Sequence, residues 1–135
     1  MITFVQLGKH GRLGNQLYQY AALRGISEKT GIKCKIPDFE NFLWHGQKCL
    51  LSNFNIKADF YDEQEIKSIE RNVIEPDPNM FYQDFFNIPS NSNIHGFFQF
   101  TKYFDHCEEL IRQELKPKKE FLLDAKKKLD LYKQD

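Results

Sequence analysis

Ile2-Thr3-Phe4-Val5-Gln6-Leu7-Gly8-Lys9-His10-Gly11-Arg12-Leu13-Gly14-Asn15-Gln16-Leu17-Tyr18-Gln19-Tyr20-Ala21-Ala22 decides how this chain is read. Residues 2–7 are rich in β-branched and aromatic side chains and predict a strand. Glycines at positions 8, 11 and 14 follow, and an apolar pattern of helical period starts at about Asn15. The unit is therefore a strand, a glycine loop and a helix. The start of such a helix presents unpaired N–H groups and the positive end of the helix dipole, which suits an anion or a polar ligand.

Working outward, Leu17, Tyr18, Tyr20, Ala21, Ala22, Leu23 and Ile26 spread around most of the helix, which predicts heavy burial. Gln16 and Gln19 are exceptional as polar residues there. Thr30-Gly31-Ile32 is a helix stop, with Gly31 free to turn left-handed. Lys33 to Ile36 then reads as a second strand, parallel to the first because a helix crosses between them, and Pro37 ends it. This start predicts an α/β fold, a parallel sheet flanked by helices.

Further along, Asp38 to Gln47 reads as a packed loop or short helix, and Leu50 to Ile56 as another short element. Ile66 to Ile74 fits a strand or a helix edge. Glu75-Pro76-Asp77-Pro78-Asn79 is a turn by its chemistry. After a second turn, Ile94 to Phe100 predicts a buried strand. Tyr103 to Leu115 predicts an amphipathic helix with Phe104, Cys107, Leu110 and Ile111 on one face. The segment 118–135 is helix-like and highly charged, with Phe121, Leu122, Ala125, Leu129 and Leu131 as its apolar side.

Composition narrows the function classes. The 135 residues suffice for one domain with a real core, and 19 acidic against 19 basic residues give no field that argues for nucleic acid or an anionic membrane. Cys34, Cys49 and Cys107 have no C-x-x-C spacing, which points to neither a disulfide framework nor a zinc site and fits a reducing, cytoplasmic setting. No apolar run approaches the ~20 residues of a transmembrane helix.

The spacing Gly8-x-x-Gly11-x-x-Gly14 is neither G-x-G-x-x-G nor a P-loop, so the dinucleotide and nucleoside triphosphate fingerprints are missing. A tight structural turn and a ligand site remain open alternatives at this level. Asn15 reads either as an N-cap or, with Arg12, Gln16 and Gln19, as one of a set of forked donors and neutral amides facing a crevice at the end of the first strand. Such groups suit a hydroxyl-rich ligand. His10 in the loop is a further candidate for substrate contact.

Gly11-Arg12-Leu13-Gly14-Asn15-Gln16-Leu17-Tyr18-Gln19-Tyr20-Ala21 resembles the N-terminal G-G-L-G-N-Q-M-F-Q-Y-A signature of glycosyltransferase family 11, the α-1,2-fucosyltransferases. Gly96-Phe97-Phe98-Gln99-Phe100-Thr101-Lys102-Tyr103-Phe104 is similar to that family's G-Y-F-Q-S-x-K-Y-F segment. The resemblance implies a Rossmann-like N-terminal domain of a GT-B-type enzyme over residues 1–116, with 117–135 a charged helix leading toward a second half. It implies inverting, metal-independent transfer of fucose from GDP-fucose to a galactose hydroxyl, with no further cofactor. Asn15 and Arg12 would then act at the reacting centre, and His10, Gly11, Gly14, Gln16 and Gln99 would bind substrate. Gly96 to Gln99 would form a strand beneath the cleft. Partners implied are a carbohydrate acceptor, a nucleotide sugar and a C-terminal half or an oligomer partner. Arg12 replaces the signature's second glycine, as in the G-R-x-G-N-Q loop of protein O-fucosyltransferases.

The family's H-x-R-R-x-D-Y run, whose Arg binds the donor diphosphate, does not occur in these 135 residues. The expectation is a chain that covers roughly half of a family member and does not turn over alone. The alternative is a non-catalytic sugar- or nucleotide-binding α/β module. Among the other polar residues, His45 beside Trp44 has a stacking partner, and His95 and His106 lack ligand spacing. Asp59, Asp62, Glu63 and Glu65 read as a solvated charged turn rather than an acid–base pair, and the Lys-rich runs 116–119 and 126–128 as solvated helix faces.

Overall fold

The computed structural model describes residues 1–44 and 46–133, so the stacking expected of His45 lies outside the described residues. Five strands, β1 (Ile2–Thr3), β2 (Cys34–Ile36), β5 (Asp59–Phe60), β6 (Arg71–Ile74) and β7 (Ser92–His95), form one sheet in the order β5-β2-β1-β7-β6. Every pairing in it is parallel. A separate two-residue hairpin, β3 (Leu43–Trp44) and β4 (Gln47–Lys48), stands where a loop or short helix was expected. The helices are α1 (Leu13–Thr30), α2 (Glu63–Lys67), α3 (Glu108–Glu114) and α4 (Lys119–Lys133). The α/β expectation and the parallel β1–β2 pair are borne out.

Tyr20, Ala22, Leu23 and Ile26 of α1 pack with Ile2 and Phe4, Ile36 and Ile94 in one core cluster. Each large side chain enclosed there contributes about 1.5–3 kcal/mol of hydrophobic stabilisation. Gly25 lets α1 approach the 3₁₀ turn Thr101–Tyr103, since a Cβ at position 25 would stand 1.9 Å from the Tyr103 carbonyl oxygen. Gly31 ends the helix at φ +74°, and its N–H donates to the Ser27 carbonyl.

Strand lengths differ from the sequence expectation, for one physical reason at two places. The first strand stops at Thr3 rather than Leu7, because the Asn93 side-chain oxygen takes the Val5 N–H at 2.9 Å and the Phe4 and Gln6 carbonyls accept turn bonds. The last strand stops at His95 rather than Phe100, because the Glu75 carboxylate accepts the N–H groups of Phe97 and Phe98 at 3.0 and 3.2 Å. In both, a side-chain acceptor on a neighbouring segment replaces the next rung of the ladder. Residues 96–99 are thus an irregular loop, with Phe98 at φ +51°, and not a strand beneath a cleft.

The helix expected over Tyr103–Leu115 is broken into 3₁₀ turns at Thr101–Tyr103 and Asp105–Cys107 followed by α3, because Phe104 and Cys107 take non-helical dihedrals. Ile66 to Ile74 resolves into the end of α2 and β6. Asp62 caps α2 in a capping box with Glu65, Glu65 pairs with Lys35, and Asp59 pairs with Lys33. Asp59, Asp62 and Glu65 thus serve pairing and capping, in a strand and a helix start rather than in the charged turn expected. The chain joins α4 through Asn55 N–H to Lys116 O and Lys118 N–H to Asn53 O, and along α4 Leu122, Leu129 and Leu131 remain exposed. No helix among the described residues is long and apolar enough to cross a membrane.

Candidate functional site

β1 and β7 lie side by side in the middle of the sheet, so the loops that leave their carboxyl ends are neighbours. Two loops meet there. Residues 4–12 leave β1 and enter α1, and residues 96–99 leave β7.

The first loop is shaped by left-handed glycines and held by amides. Gly11 lies at φ +82°, and a Cβ there would come within 2.7 Å of Asn15 Nδ2. Gln16 Nε2 donates to the Gly11 carbonyl at 3.2 Å, and Gln19 Nε2 donates to the His10 carbonyl at 3.1 Å. Both glutamines are buried, at 8% and 0% exposure, and only Gln16 lines a groove with Arg12, which corrects the expectation that both face one crevice together with Arg12 and Asn15. They clip the loop onto the helix. Each keeps a buried Oε1 without a protein partner.

The helix begins two residues earlier than the apolar pattern suggests. Arg12 occupies the N-cap position in an extended conformation with no side-chain cap, and the first turn holds no acidic residue. Asn15 is therefore inside the first turn and is not the cap. Its Oδ1 accepts instead from Gln99 Nε2 at 2.7 Å, a bond that joins positions 84 residues apart and ties the two loops together. Around Gly14, no heavy atom lies within 4 Å of where a Cβ would stand, so packing does not account for a glycine at this position.

On the β7 side the His10 ring lies between His95 and Phe97, with centroids 4.5 and 4.6 Å away. Burial, and then the neighbouring His10, hold the His95 imidazole below its ordinary pKa. Glu75, at the end of β6, fixes the second loop: its carboxylate binds the Phe97 and Phe98 amides, and its own N–H donates to His95 O at 2.8 Å. Burial raises its pKa against the pull of those two donors. A Cβ on Gly96, at φ +155°, would come within 2.5 Å of the Glu75 Cβ.

The helix start also borders a groove of about 390 Å³ beside the β3–β4 hairpin, with Arg12, Leu13, Gln16, Lys48 and Cys49 among its lining residues. Of the residues singled out in the sequence, His10, Asn15 and Gln99 join the β1 and β7 loops, Gly11 lies against Asn15, and Arg12 and Gln16 line the groove. Three contributors escape sequence reading. Glu75 sits in a Pro-rich turn whose polarity signals exposure, His95 has no spacing partner, and Lys48 lies in an unpredicted hairpin.

The assembled groups offer neutral amides, imidazoles and an Arg, a set that hydrogen-bonds hydroxyl groups and tolerates negative charge. Glu75 has both oxygens committed to backbone N–H groups. Among the described residues, no group of three His, Cys, Asp or Glu side chains is placed to hold a metal ion. Comparison of the chain with protein-family models, with curated proteins and with solved structures returns no significant match.

Proposed function

We propose that the chain is the N-terminal, Rossmann-like part of a GT-B-type galactoside α-1,2-fucosyltransferase, acting in inverting transfer of fucose from GDP-fucose to a galactose hydroxyl. One observation carries the reading. The two segments that resemble the fucosyltransferase motifs are far apart in sequence, yet Asn15 and Gln99 bond directly beyond the neighbouring central strands β1 and β7. In this reading Asn15 and Arg12 stand at the reacting centre, Gly14 leaves room beside them, and His10 and Gln99 orient the acceptor sugar. Gln16 and Gly11 shape the loop, because the Gln16 amide holds the Gly11 carbonyl.

A second reading, a sugar- or nucleotide-binding module without catalysis, is favoured by Glu75, whose two carboxylate oxygens are both committed to the Phe97 and Phe98 N–H groups and so are not free to take a proton from an acceptor hydroxyl. The test is fucose transfer from GDP-fucose to a phenyl β-galactoside, with the linkage read by NMR, using this chain alone and then the protein of its entire coding sequence. Turnover only in the latter supports the first reading; galactoside binding with no turnover in either supports the second. Asn15→Ala is expected to abolish galactoside binding while leaving the circular dichroism spectrum and melting transition intact. Absence of galactoside binding by the parent chain sinks both.

A further inference from the structure

The helix α4 takes no part in the fucose-transfer reading, and its residues Lys119–Lys133 are exposed along their whole length. It meets the domain at its start, where the Phe121 and Phe54 rings lie 6.4 Å apart. A helix that only meets water is expected to be polar all round. α4 is not, since Phe121, Leu122, Leu129 and Tyr132 are 39, 53, 53 and 82% exposed.

Charge is sorted around these side chains. At about 100° per residue, Phe121, Leu122, Ala125, Leu129 and Tyr132 fall on an arc of about 100°. Lys128 lies about 20° beyond one edge of that arc, and Lys133 and Lys126 lie about 20° and 40° beyond the other. The acids Glu120, Asp124 and Asp130 all stand farther away, at least about 60° from either edge, on the side that also carries Leu123 and Leu131. The even charge balance of the whole chain hides this local order. Lys128 reaches Asp124 at 3.4 Å, but an exposed pair of this kind contributes little and leaves the ammonium available.

The size of the face limits what can cover it. A helix of 15 residues is about 22 Å long and about 10 Å across. The stripe thus offers roughly 220 Å² at most, whereas a stable protein interface buries about 800 Å² on each partner. A second copy or a globular partner needs several times more surface than this. A lipid surface needs only the helix: the apolar side chains sink to the acyl boundary, and the flanking lysines extend their stems to place ammonium groups among the phosphates.

We propose that α4 lies in the plane of an anionic lipid surface, with Phe121, Leu122, Leu129 and Tyr132 in the acyl boundary and Lys126, Lys128 and Lys133 against headgroup phosphates. The proposal uses none of the residues assigned to fucose transfer and holds whether or not the chain carries out that reaction.

The test is flotation with vesicles of phosphatidylcholine alone and of phosphatidylcholine mixed equally with phosphatidylglycerol, using this chain and the protein of its entire coding sequence. Both proteins are expected to bind the anionic vesicles at least about tenfold more strongly than the neutral ones, and less strongly as salt rises from about 0.1 to about 0.5 M. Leu129→Asp is expected to abolish binding, and Lys126→Glu combined with Lys133→Glu to weaken it about tenfold or more. All three positions are exposed, so both variants are expected to melt at the parent temperature. No binding to anionic vesicles, equal binding to both kinds, or indifference to either variant overturns the proposal. So does self-association in sedimentation that Leu129→Asp abolishes, which assigns the face to a second copy. Binding by this chain that the protein of its entire coding sequence lacks also overturns it. Each of these readings is independent of GDP-fucose turnover.

Discussion

The two ends of α1 are built on opposite terms. Toward its carboxyl end, Tyr20 donates to the Glu114 carboxylate, Arg24 Nη2 bonds the same carboxylate at 2.9 Å, and the Lys57 N–H adds a third donor at 3.1 Å. Ser27 Oγ donates to the Ile32 carbonyl at 2.6 Å, and Gly31 closes the last turn. Nearly every polar group there has a counterpart. At the amino end the cap position offers no side-chain bond, two glutamine carbonyls lie buried without donors, and Phe98 holds a left-handed backbone next to Glu75. The contrast separates two kinds of helix end: one locks the helix to α3, and the other leaves polar groups unmatched where the loops after β1 and β7 meet.

The largest expected effect breaks the closed end. Glu114→Ala leaves the Arg24 guanidinium, 15% exposed, without its main partner and the Tyr20 hydroxyl without an acceptor. A loss of about 3 kcal/mol in unfolding free energy is expected, measured by chemical denaturation. A change below about 1 kcal/mol, the range typical of an exposed pair, removes the locked end from the comparison.

An intermediate effect sharpens the open end. Glu75 has its carboxyl raised by burial, so the folded state holds this proton more tightly than the unfolded chain does. Its stabilising contribution is present at low pH and is lost as pH rises from the unfolded value through the raised folded one. Stability of the parent chain is therefore expected to fall relative to Glu75→Gln as pH rises above the unfolded value of about 4, read from denaturation midpoints at a series of pH values. An opposite slope means that the Phe97 and Phe98 amides outweigh burial.

The smallest effect concerns the imidazole pair. His10→Ala removes one of the two causes that depress the His95 pKa, leaving burial in place. An upward movement of the His95 titration, followed by NMR, is expected with little change in melting temperature. An unchanged midpoint would show that burial alone sets it.

Much of the scaffold was legible in the residues. The Ile2–Thr3 start, the glycine loop, the helix stop at Gly31, the strand ending at Pro37 and the Pro76–Pro78 turn all depend on neighbours within a few positions, so local chemistry suffices to find them. The burial of α1 at residues 20–23 and at Ile26 followed from its apolar pattern, but Tyr18, expected to be buried with them, is 38% exposed. The site was only partly legible. Asn15 and Gln99 were singled out by resemblance, whereas Glu75 was hidden by a turn whose polarity normally means exposure.

What the sequence determined by itself was therefore the type and order of the local units: strand, glycine loop, buried helix and parallel strand. Only the tertiary structure decided where strands end, which way the glutamines point and which loops meet. Those outcomes depend on side-chain acceptors arriving from distant positions, Asn93 on Val5, Glu75 on Phe97 and Asn15 on Gln99. A backbone N–H or a side-chain amide is satisfied by any acceptor that reaches it, and the pattern of nearby residues carries no record of one that folding brings from elsewhere.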